Sequence, residues 1–298
     1  MDDVRSHPAS PAGRRLSVAD GPILVELLPE MGGRLHRLRV FDQDLVRTPD
    51  DPTLYVRQPF HWGGYVMAPW CNRIDTAPTA VGDEVVRVPV NSADGTALHG
   101  QVYGSPWEVR GEATLSVRGG GDGWPWPYES SLRLGIAGTM LTIEQSLTNL
   151  ADTPMPGGLG LHPWFRRPLE VEISAASVLA SNTDAGAEIE PVSGALDLRA
   201  MGPIPDDLDA SWLDLGDPAV RLRWPTLGIS CVLRARSEAG LCIVAASPSD
   251  IDAVAIEAQT HAPQGLRRLL AGESHGLHLL DPGASMRLTI ELVFEREG

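Results

Sequence analysis

The sequence predicts an all-β protein built as a large antiparallel β-sandwich, and three observations support this. Apolar and polar residues alternate with a period of two in segments from the first half of the chain to its end. Helical periodicity is confined to short stretches, the best of which is 264–271 (QGLRRLLA). Gly and Pro residues cluster between the alternating segments, where the turns of such a sheet would lie.

The strands can be placed in order along the chain. Residues 113–118 (ATLSVR) alternate, and the Gly- and Pro-rich run that follows, 119–127 (GGGDGWPWP), is predicted to be a loop. Residues 132–147 alternate on both sides of a break at Gly138, which predicts a β-hairpin. A second loop is predicted at 154–160 (PMPGGLG). Further strands are predicted at 220–224, 229–234, 254–258 and 286–295.

The domain organisation follows from the length of 298 residues and the absence of a repeat of fixed period. Residues 1–15 are predicted to be a flexible tail, and residues 16–298 a single β-sandwich domain. The first residues carry no apolar secretory segment, and no window approaches the roughly 20 apolar residues that span a bilayer. These features predict a cytoplasmic protein without a membrane partner.

The charged residues exclude several classes of function. All 24 basic residues are Arg, so enzymes that need a lysine amine are excluded: Schiff-base aldolases, pyridoxal phosphate enzymes and Walker A nucleotide binders. The formal net charge of −15 argues against nucleic acid as a partner, because nucleic acid is bound chiefly through a positive surface.

The cysteines and histidines do not predict a metal centre. Cys71, Cys231 and Cys242 form no CxxC pair and are predicted to be buried apolar residues. Scattered histidines could join Glu257 as ligands, but no HxH or HExxH spacing is present. We therefore predict no metal.

Several polar residues in apolar or Gly/Pro-rich settings are candidates for a site, and each also has a structural interpretation. Arg73 beside Asn72 is typical of an ion pair at a strand end. His99 before Gly100 is typical of a turn. Asp209 lies in an acidic run whose charges are usually solvated.

Two further candidates lie in predicted strands. The proline after His162 favours an extended backbone there, and Trp164 and Phe165 can pack behind the imidazole, although a lone histidine in such a place is more often a packed structural residue. Glu257 lies in the apolar run VAIEA, where burial would raise its pKa and make it a usable base. Because Glu257 alternates in phase with Ala255, a solvent-facing carboxylate is the equal alternative.

Taken together and in order, these segments resemble the aldose 1-epimerase family, the galactose mutarotase-like proteins. The resemblance extends from about residue 20 to the C-terminus, and it rests on the order and spacing of the pieces together. The matching pieces are GGRLHRL (32–38), Asn72 and Arg73, LHG (98–100), WPWPY (124–128), HPWF (162–165), Leu208 and Asp209, EAQ (257–259), and Pro282 and Gly283. The family's fold is a large antiparallel β-sandwich, the class that the alternation predicts independently.

The resemblance implies a reaction and a role for each candidate. Glu257 would be the general base on the anomeric hydroxyl and His162 the general acid on the ring oxygen of a monosaccharide. His99 would help to polarise the ring oxygen. Arg73, Asp209 and Asn72 would hold sugar hydroxyls, and the family's chemistry needs no metal or cofactor.

Some assignments stay open at this stage. Asp214 is an alternative counterpart to Asp209, because the segment DLDASWLDL matches loosely. The tryptophans predicted to stack on sugar C–H faces are Trp70, Trp164 and Trp212.

Other functions also remain open on the same fold. A hexose-phosphate epimerase would place an Arg cluster at the mouth of the site, with Arg34, Arg37, Arg166 and Arg167 as candidates. A sugar-binding protein without activity is a further alternative. A glycoside hydrolase would require a second carboxylate across the site from Glu257.

Overall fold

The computed structural model describes residues 13–184 and 186–298, and most of these residues lie in strands. The first half of the chain contains β1 (Leu16–Asp20), β2 (Ile23–Leu28), β3 (Arg34–Val40), β4 (Gln43–Asp44), β5 (Gly64–Met67), β6 (Arg73–Ile74), β7 (Thr79–Val81), β8 (Glu84–Val86), β9 (Ala97–Leu98), β10 (Glu108–Gly111), β11 (Thr114–Gly121), β12 (Trp124–Ala137) and β13 (Met140–Asn149). The second half contains β14 (Met155–Gly157), β15 (Gly160–Arg166), β16 (Glu170–Leu179), β17 (Ile189–Pro191), β18 (Gly202–Pro203), β19 (Asp209–Trp224), β20 (Ile229–Arg236), β21 (Cys242–Ala246), β22 (Ala253–Gln259), β23 (His278–Leu280) and β24 (Ser285–Arg296). The helices are α1 (Leu54–Arg57) and α2 (Gly265–Leu270), with 3₁₀ turns at Pro29–Met31, Val102–Gly104 and Gly194–Leu196.

Eighteen of these strands join one antiparallel sheet in the described residues. Its central path runs β1–β2–β3–β5–β15–β22–β21–β19–β20–β24–β13–β12–β11–β10. The long strand β19 pairs with β21 through its first half and with β20 through its second, while β16 pairs along its other edge. A sheet of this length closes back on itself, because strand twist accumulates from one neighbour to the next.

A hydrophobic core lies between the two layers of the curled sheet. Leu38 of β3, Ile143 of β13, Ile256 of β22 and Ile290 of β24 line the same apolar space, although their strands are far apart along the path of the sheet. All four are almost fully buried. Burial of apolar area from both layers is therefore what stabilises the closed form.

The predicted fold class is confirmed, and so are most of the predicted elements. The hairpin at 132–147 is part of β12 and β13, which meet at the pair Ala137 and Met140. Strands cover the predicted segments 113–118, from residue 114, 220–224, 229–234, 254–258 and 286–295. Several extend beyond the predicted bounds, most of all β19, which begins at Asp209, and the predicted short helix is α2. The predicted tail, residues 1–15, lies outside the described residues as far as residue 12, and β1 begins at Leu16.

Both predicted loops are wrong in the main. The run 119–127 belongs largely to β11 and β12, because Trp124 and Trp126 alternate inward and are buried in the core. The neighbouring prolines are tolerated because β12 pairs with β13 only from Tyr128 onward, so their segment has a free edge. Within 154–160, residues 155–157 form β14, which pairs with β23.

None of the helices in the described part of the chain is both long and apolar enough to cross a bilayer.

Candidate active site

Two neighbouring strands, β15 and β22, form the floor of a cavity. They are antiparallel, with Leu161 opposite Ala258 and Trp164 opposite Ala255. Because side chains alternate across a strand, His162 and Glu257 both leave the face opposite to the core. The imidazole Nε2 of His162 lies 3.1 Å from Oε1 of Glu257. The strand pairing thus places an imidazole and a carboxyl group side by side.

The cavity above this pair encloses about 140 Å³. Its lining combines titratable groups from distant segments with aromatic and small apolar side chains. The lining residues are Phe60, His61, Tyr65, Asn72, Arg73, Leu98, His99, His162, Trp164, Asp209, Val244, Ala246 and Glu257. All six residues predicted as the site, Glu257, His162, His99, Arg73, Asp209 and Asn72, are therefore brought together.

Glu257 is a buried carboxyl group, only 2% exposed. Burial raises its pKa well above the ordinary value, and the nearby Asp209 raises it further. The amide Nε2 of Gln259 donates a 2.7 Å hydrogen bond to Oε2 and acts in the opposite direction. The alternation with Ala255 was predicted correctly, but that face meets the cavity and not bulk solvent.

His162 is held between aromatic rings. The ring of Tyr65 stacks on it with centroids 4.5 Å apart, and Trp164 lies 5.1 Å away at a tilt. Burial lowers the pKa of His162 to about 3, and the Arg34 guanidinium also lowers it. Burial thus favours a neutral imidazole beside a neutral carboxyl, a pair that shares one exchangeable proton.

His99 and Asn72 hold each other through backbone hydrogen bonds. Both have left-handed backbone conformations, with φ of 63° and 52°. The Asn72 N–H donates to Nδ1 of His99 at 3.2 Å, and the His99 N–H donates to the Asn72 carbonyl at 3.0 Å. Since Nδ1 accepts, the neutral ring carries its proton on Nε2. Burial lowers the pKa of His99 well below its ordinary value.

The turn that carries His99 depends on the glycine after it. Gly100 has φ of 75°, and a Cβ there would lie 2.1 Å from the Ala68 carbonyl oxygen. The predicted turn and the predicted site residue are therefore the same structural feature.

Arg73 and Asp209 form the polar wall opposite the pair. Nε of Arg73 donates to Asp94 at 2.6 Å, and Nη1 contacts Oδ1 of Asn72 at 3.4 Å. This ion pair neutralises much of the Arg73 charge. Oδ1 of Asp209 accepts a 2.5 Å hydrogen bond from the buried amide of Asn182, whose Oδ1 accepts in turn from Ser211.

The residues considered as alternatives for the site do not line the cavity. Asp214 is exposed on β19 and accepts a hydrogen bond from the Ser177 hydroxyl. The four arginines considered for a phosphate site do not line the cavity: Arg34, Arg37, Arg166 and Arg167.

Two of these arginines, Arg34 and Arg37, contact other parts of the protein. Arg34 is buried beneath the Tyr65 ring and donates to the Trp62 carbonyl. Arg37 pairs with Glu26 and Asp44.

The prediction for two of the three tryptophans is wrong. Trp70 packs against Trp124 in the core, and Trp212 donates its indole N–H to the Leu196 carbonyl, so neither reaches the cavity. Trp164 does line it. Large aromatic residues usually face the hydrophobic core. The sequence around Trp70 does not indicate whether its side chain faces the core or the cavity.

Sequence analysis missed four groups that shape the site: Tyr65, Gln259, Asn182 and Asp94. Gln259 was within reach of a local signal, because it lies two residues after Glu257 on the same strand face. The others act across 21 to 97 residues of chain, by a ring stack or a hydrogen bond, as the pairs Arg73–Asp94 and Tyr65–His162 show. No local pattern could have identified them.

Within residues 13–184 and 186–298, no group of three or more His, Cys, Asp or Glu side chains is arranged to hold a metal ion. The polar residues of the cavity are instead arranged in pairs, acid with base and carboxylate with amide.

Comparisons with known proteins give one family match. Residues 20–292 match the model of the family described as aldose 1-epimerase. No curated protein matches the chain.

Three solved structures illustrate the similarity of fold. A galactose mutarotase-like protein from Clostridium acetobutylicum is 18% identical, with a TM-score of 0.79 over 94% of each chain. A protein of Synechocystis sp. PCC 6803 is 20% identical, with a TM-score of 0.76 over 100% of both chains. Galactose 1-epimerase from Lactobacillus acidophilus NCFM is 16% identical, with a TM-score of 0.74 over 94% of this chain and 93% of that one.

Proposed function

The chain belongs to the aldose 1-epimerase family, and from that premise we propose that it interconverts the α and β anomers of a free aldose. The observation that carries the proposal is the buried contact between His162 Nε2 and Glu257 Oε1, at 3.1 Å in one cavity. A general acid and a general base must reach the two oxygens attached to one sugar carbon, and this contact brings the two groups together.

The proposed reaction opens and recloses the sugar ring. Glu257 accepts the proton of the anomeric hydroxyl while His162 donates a proton to the ring oxygen, and the bond between C1 and the ring oxygen breaks. The two oxygens are attached to the same carbon, so an adjacent base and acid can serve both. The open-chain aldehyde rotates about the C1–C2 bond. The ring then closes from the other face, with the two residues exchanging proton roles.

The protonation state of the Glu257–His162 pair fits this reaction. Burial raises the pKa of Glu257 and lowers that of His162, so the resting pair holds one proton on the carboxyl. Transfer of that proton across the 3.1 Å contact yields the carboxylate and imidazolium that ring opening uses. His99 contributes a neutral N–H donor from Nε2 to the ring oxygen, because its Nδ1 is already an acceptor.

The substrate is held by groups that suit a neutral sugar. Arg73 and Asp209 offer a donor and an acceptor to sugar hydroxyls, with Asn72 fixing the position of Arg73. The charge of Arg73 is balanced by Asp94. The Trp164 ring supplies an apolar face for sugar C–H groups.

A free sugar is favoured over a phosphorylated one. A phosphate would require uncompensated Arg side chains in the cavity, and Arg73, which is paired, is the single arginine of its lining. A binding protein without activity would have no use for a buried acid beside a buried base, since desolvation of both costs free energy.

Polarimetry of freshly dissolved α-D-glucose and α-D-galactose tests the proposal. We expect the wild type to accelerate mutarotation above the uncatalysed rate, and both Glu257→Gln and His162→Asn to lose the acceleration. Glu144→Gln makes the same chemical change at an exposed, arginine-paired carboxylate on β13 and serves as the control. Faster reaction of glucose 6-phosphate than of glucose would contradict the free-sugar assignment.

A further inference from the structure

We propose that Gln259 is a positioning residue for the base, stabilising the carboxylate form that Glu257 adopts in the reaction and turning one carboxylate oxygen towards His162. This inference rests on the proposed function for its catalytic meaning, but its structural content concerns Gln259 and Glu257 alone. Gln259 does not line the cavity, so it would act through Glu257 and not on the substrate.

The geometry divides the two oxygens of Glu257 between two partners. Oε1 lies 3.1 Å from Nε2 of His162, and Oε2 accepts a 2.7 Å hydrogen bond from Nε2 of Gln259. These are the two side chains within hydrogen-bond distance of Glu257 in the part of the chain that the structure describes. Gln259 is fully buried and follows Glu257 by two residues on the same face of β22. Rotation of the carboxylate would break both contacts.

The surroundings of Glu257 mostly oppose the carboxylate form that this donor stabilises. The titratable groups that face Glu257 from the packed elements are His162 of β15, Asp209 of β19, Arg73 of β6, Tyr65 of β5, and the thiols Cys71 and Cys242. Burial and Asp209 both favour the protonated carboxyl. A hydrogen bond donated to the ionised form favours the carboxylate, and Gln259 provides it.

The amide of Gln259 has a second polar atom. Its Oε1 is buried and has no hydrogen-bond partner among the described residues. A half-turn of the amide exchanges Nε2 and Oε1, so the same side chain could accept a hydrogen bond from the protonated carboxyl. Because a charge-assisted hydrogen bond is about twice as strong as a neutral one, the contribution of Gln259 still favours the carboxylate over the protonated carboxyl.

The space for this amide is reserved by a glycine on the neighbouring strand. Gly160 lies opposite Gln259, and a Cβ at Gly160 would lie 3.1 Å from Cγ of Gln259 and 2.7 Å from Sγ of Cys71. The stem of Gln259 is therefore fixed by packing, which is what a positioning residue requires.

The test replaces the amide by an apolar side chain of similar length, Gln259→Met, and follows the Glu257 carboxyl by infrared difference spectroscopy during a pH titration. The band is assigned by its loss in Glu257→Gln. We expect the titration midpoint of Glu257 to rise by about one pH unit, because the ionised form loses the stronger hydrogen bond. Since the reactive ion-pair form then becomes rarer, kcat/KM at neutral pH should fall about tenfold.

Asn182→Leu is the matched control, because it removes the same kind of amide from the other carboxylate of the cavity, Asp209. It should leave the Glu257 midpoint in place and raise KM for the sugar. If Gln259→Met does not fold, Gln259→Asn, which is one methylene too short to reach Oε2, should move the midpoint in the same direction.

The outcomes separate this inference from the proposed function. An unchanged or lower Glu257 midpoint in the Gln259 variants overturns the inference, even if the wild type catalyses mutarotation. A raised midpoint in a protein that accelerates no mutarotation supports the assignment of Gln259 and counts against the proposed function.

Discussion

The strands β15 and β22 have two buried faces that differ in chemistry. On one face, Leu161, Phe165 and Ile256 pack into the hydrocarbon core. On the other face, His162 and Glu257 meet in the cavity. Both faces are excluded from water to a similar degree, since Ile256 is fully buried and Glu257 is 2% exposed.

The comparison shows that burial has opposite consequences on the two faces. For hydrocarbon side chains, removal from water stabilises the fold. For the carboxyl and the imidazole, it costs free energy and shifts both pKa values towards the neutral forms. The core face should therefore control stability, and the cavity face should control chemistry.

The largest effect should come from acid, which would charge buried histidines that lie outside the cavity. Burial lowers the pKa of His36 and of His261 to about 4 each. Below about pH 6.5 each of these two histidines binds more protons in the unfolded chain than in the folded one, so together they should lower stability by about 3 kcal/mol per pH unit between about pH 6.5 and 4. Denaturant unfolding across this range measures the slope. The double variant His36→Gln, His261→Gln should make the slope shallower by about that amount, and an unchanged slope in this variant would contradict the assignment.

The next effect sharpens the comparison on the cavity face. Glu257→Gln should lower the mutarotation rate by about 10²- to 10⁴-fold, because the base is lost. Its melting temperature should stay the same or rise, since an amide of the same shape avoids burying an ionisable group. Polarimetry and thermal unfolding on the same preparation test both. A loss of stability in step with the loss of rate would show that the carboxyl is structural.

Ile256→Ala is the converse change, one residue away on the core face. It should reduce the free energy of unfolding by about 2–5 kcal/mol, because it leaves a cavity in the core. The turnover of the folded fraction should stay within about twofold of the wild type. Denaturant unfolding together with polarimetry distinguishes the two quantities, and a large drop in turnover at full folding would mean that the faces are coupled.

The smallest effect concerns a contact that links the wall of the cavity to its floor. Nε1 of Trp164 donates to the Phe60 carbonyl at 2.6 Å. Trp164→Phe keeps a ring against His162 but loses this hydrogen bond, which contributes about 1 kcal/mol. We expect KM to rise about two- to tenfold with kcat nearly unchanged. Initial rates over a range of sugar concentrations test this, and a change in kcat alone would argue for a role in proton transfer.

Local alternation was enough to predict the strands and the hairpin, because side chains of neighbouring residues reveal which face is apolar. Alternation did not predict the strands at 119–127. There, Trp124 and Trp126 point into a core that is assembled from distant strands. Alternation also placed Glu257 on the face opposite to Ile256. It could not tell whether that face meets solvent, since the covering wall comes from Asp209 and other remote segments.

The candidate site was predicted mainly through the family resemblance, and the residues that support it were not. Asn182 acts on Asp209 from 27 residues away, and Tyr65 stacks on His162 from 97 residues away. Such contacts depend on the register of strands that meet only in the folded chain. Gln259 belongs to the matching piece EAQ (257–259), but its hydrogen bond to Glu257 is visible only when both side chains are placed.

The position of Trp164 has an optical consequence. Its indole ring lies 5.1 Å from the imidazole of His162 and lines the cavity. An indole excited state is sensitive to a neighbouring charge and to contact with a ligand, so its emission should respond both to protonation of His162 and to entry of a sugar. The difference in emission between the wild type and Trp164→Phe would isolate this signal from the other seven tryptophans among the eight in the chain. The protein thus carries a fluorophore with which occupancy of the cavity can be followed without turnover.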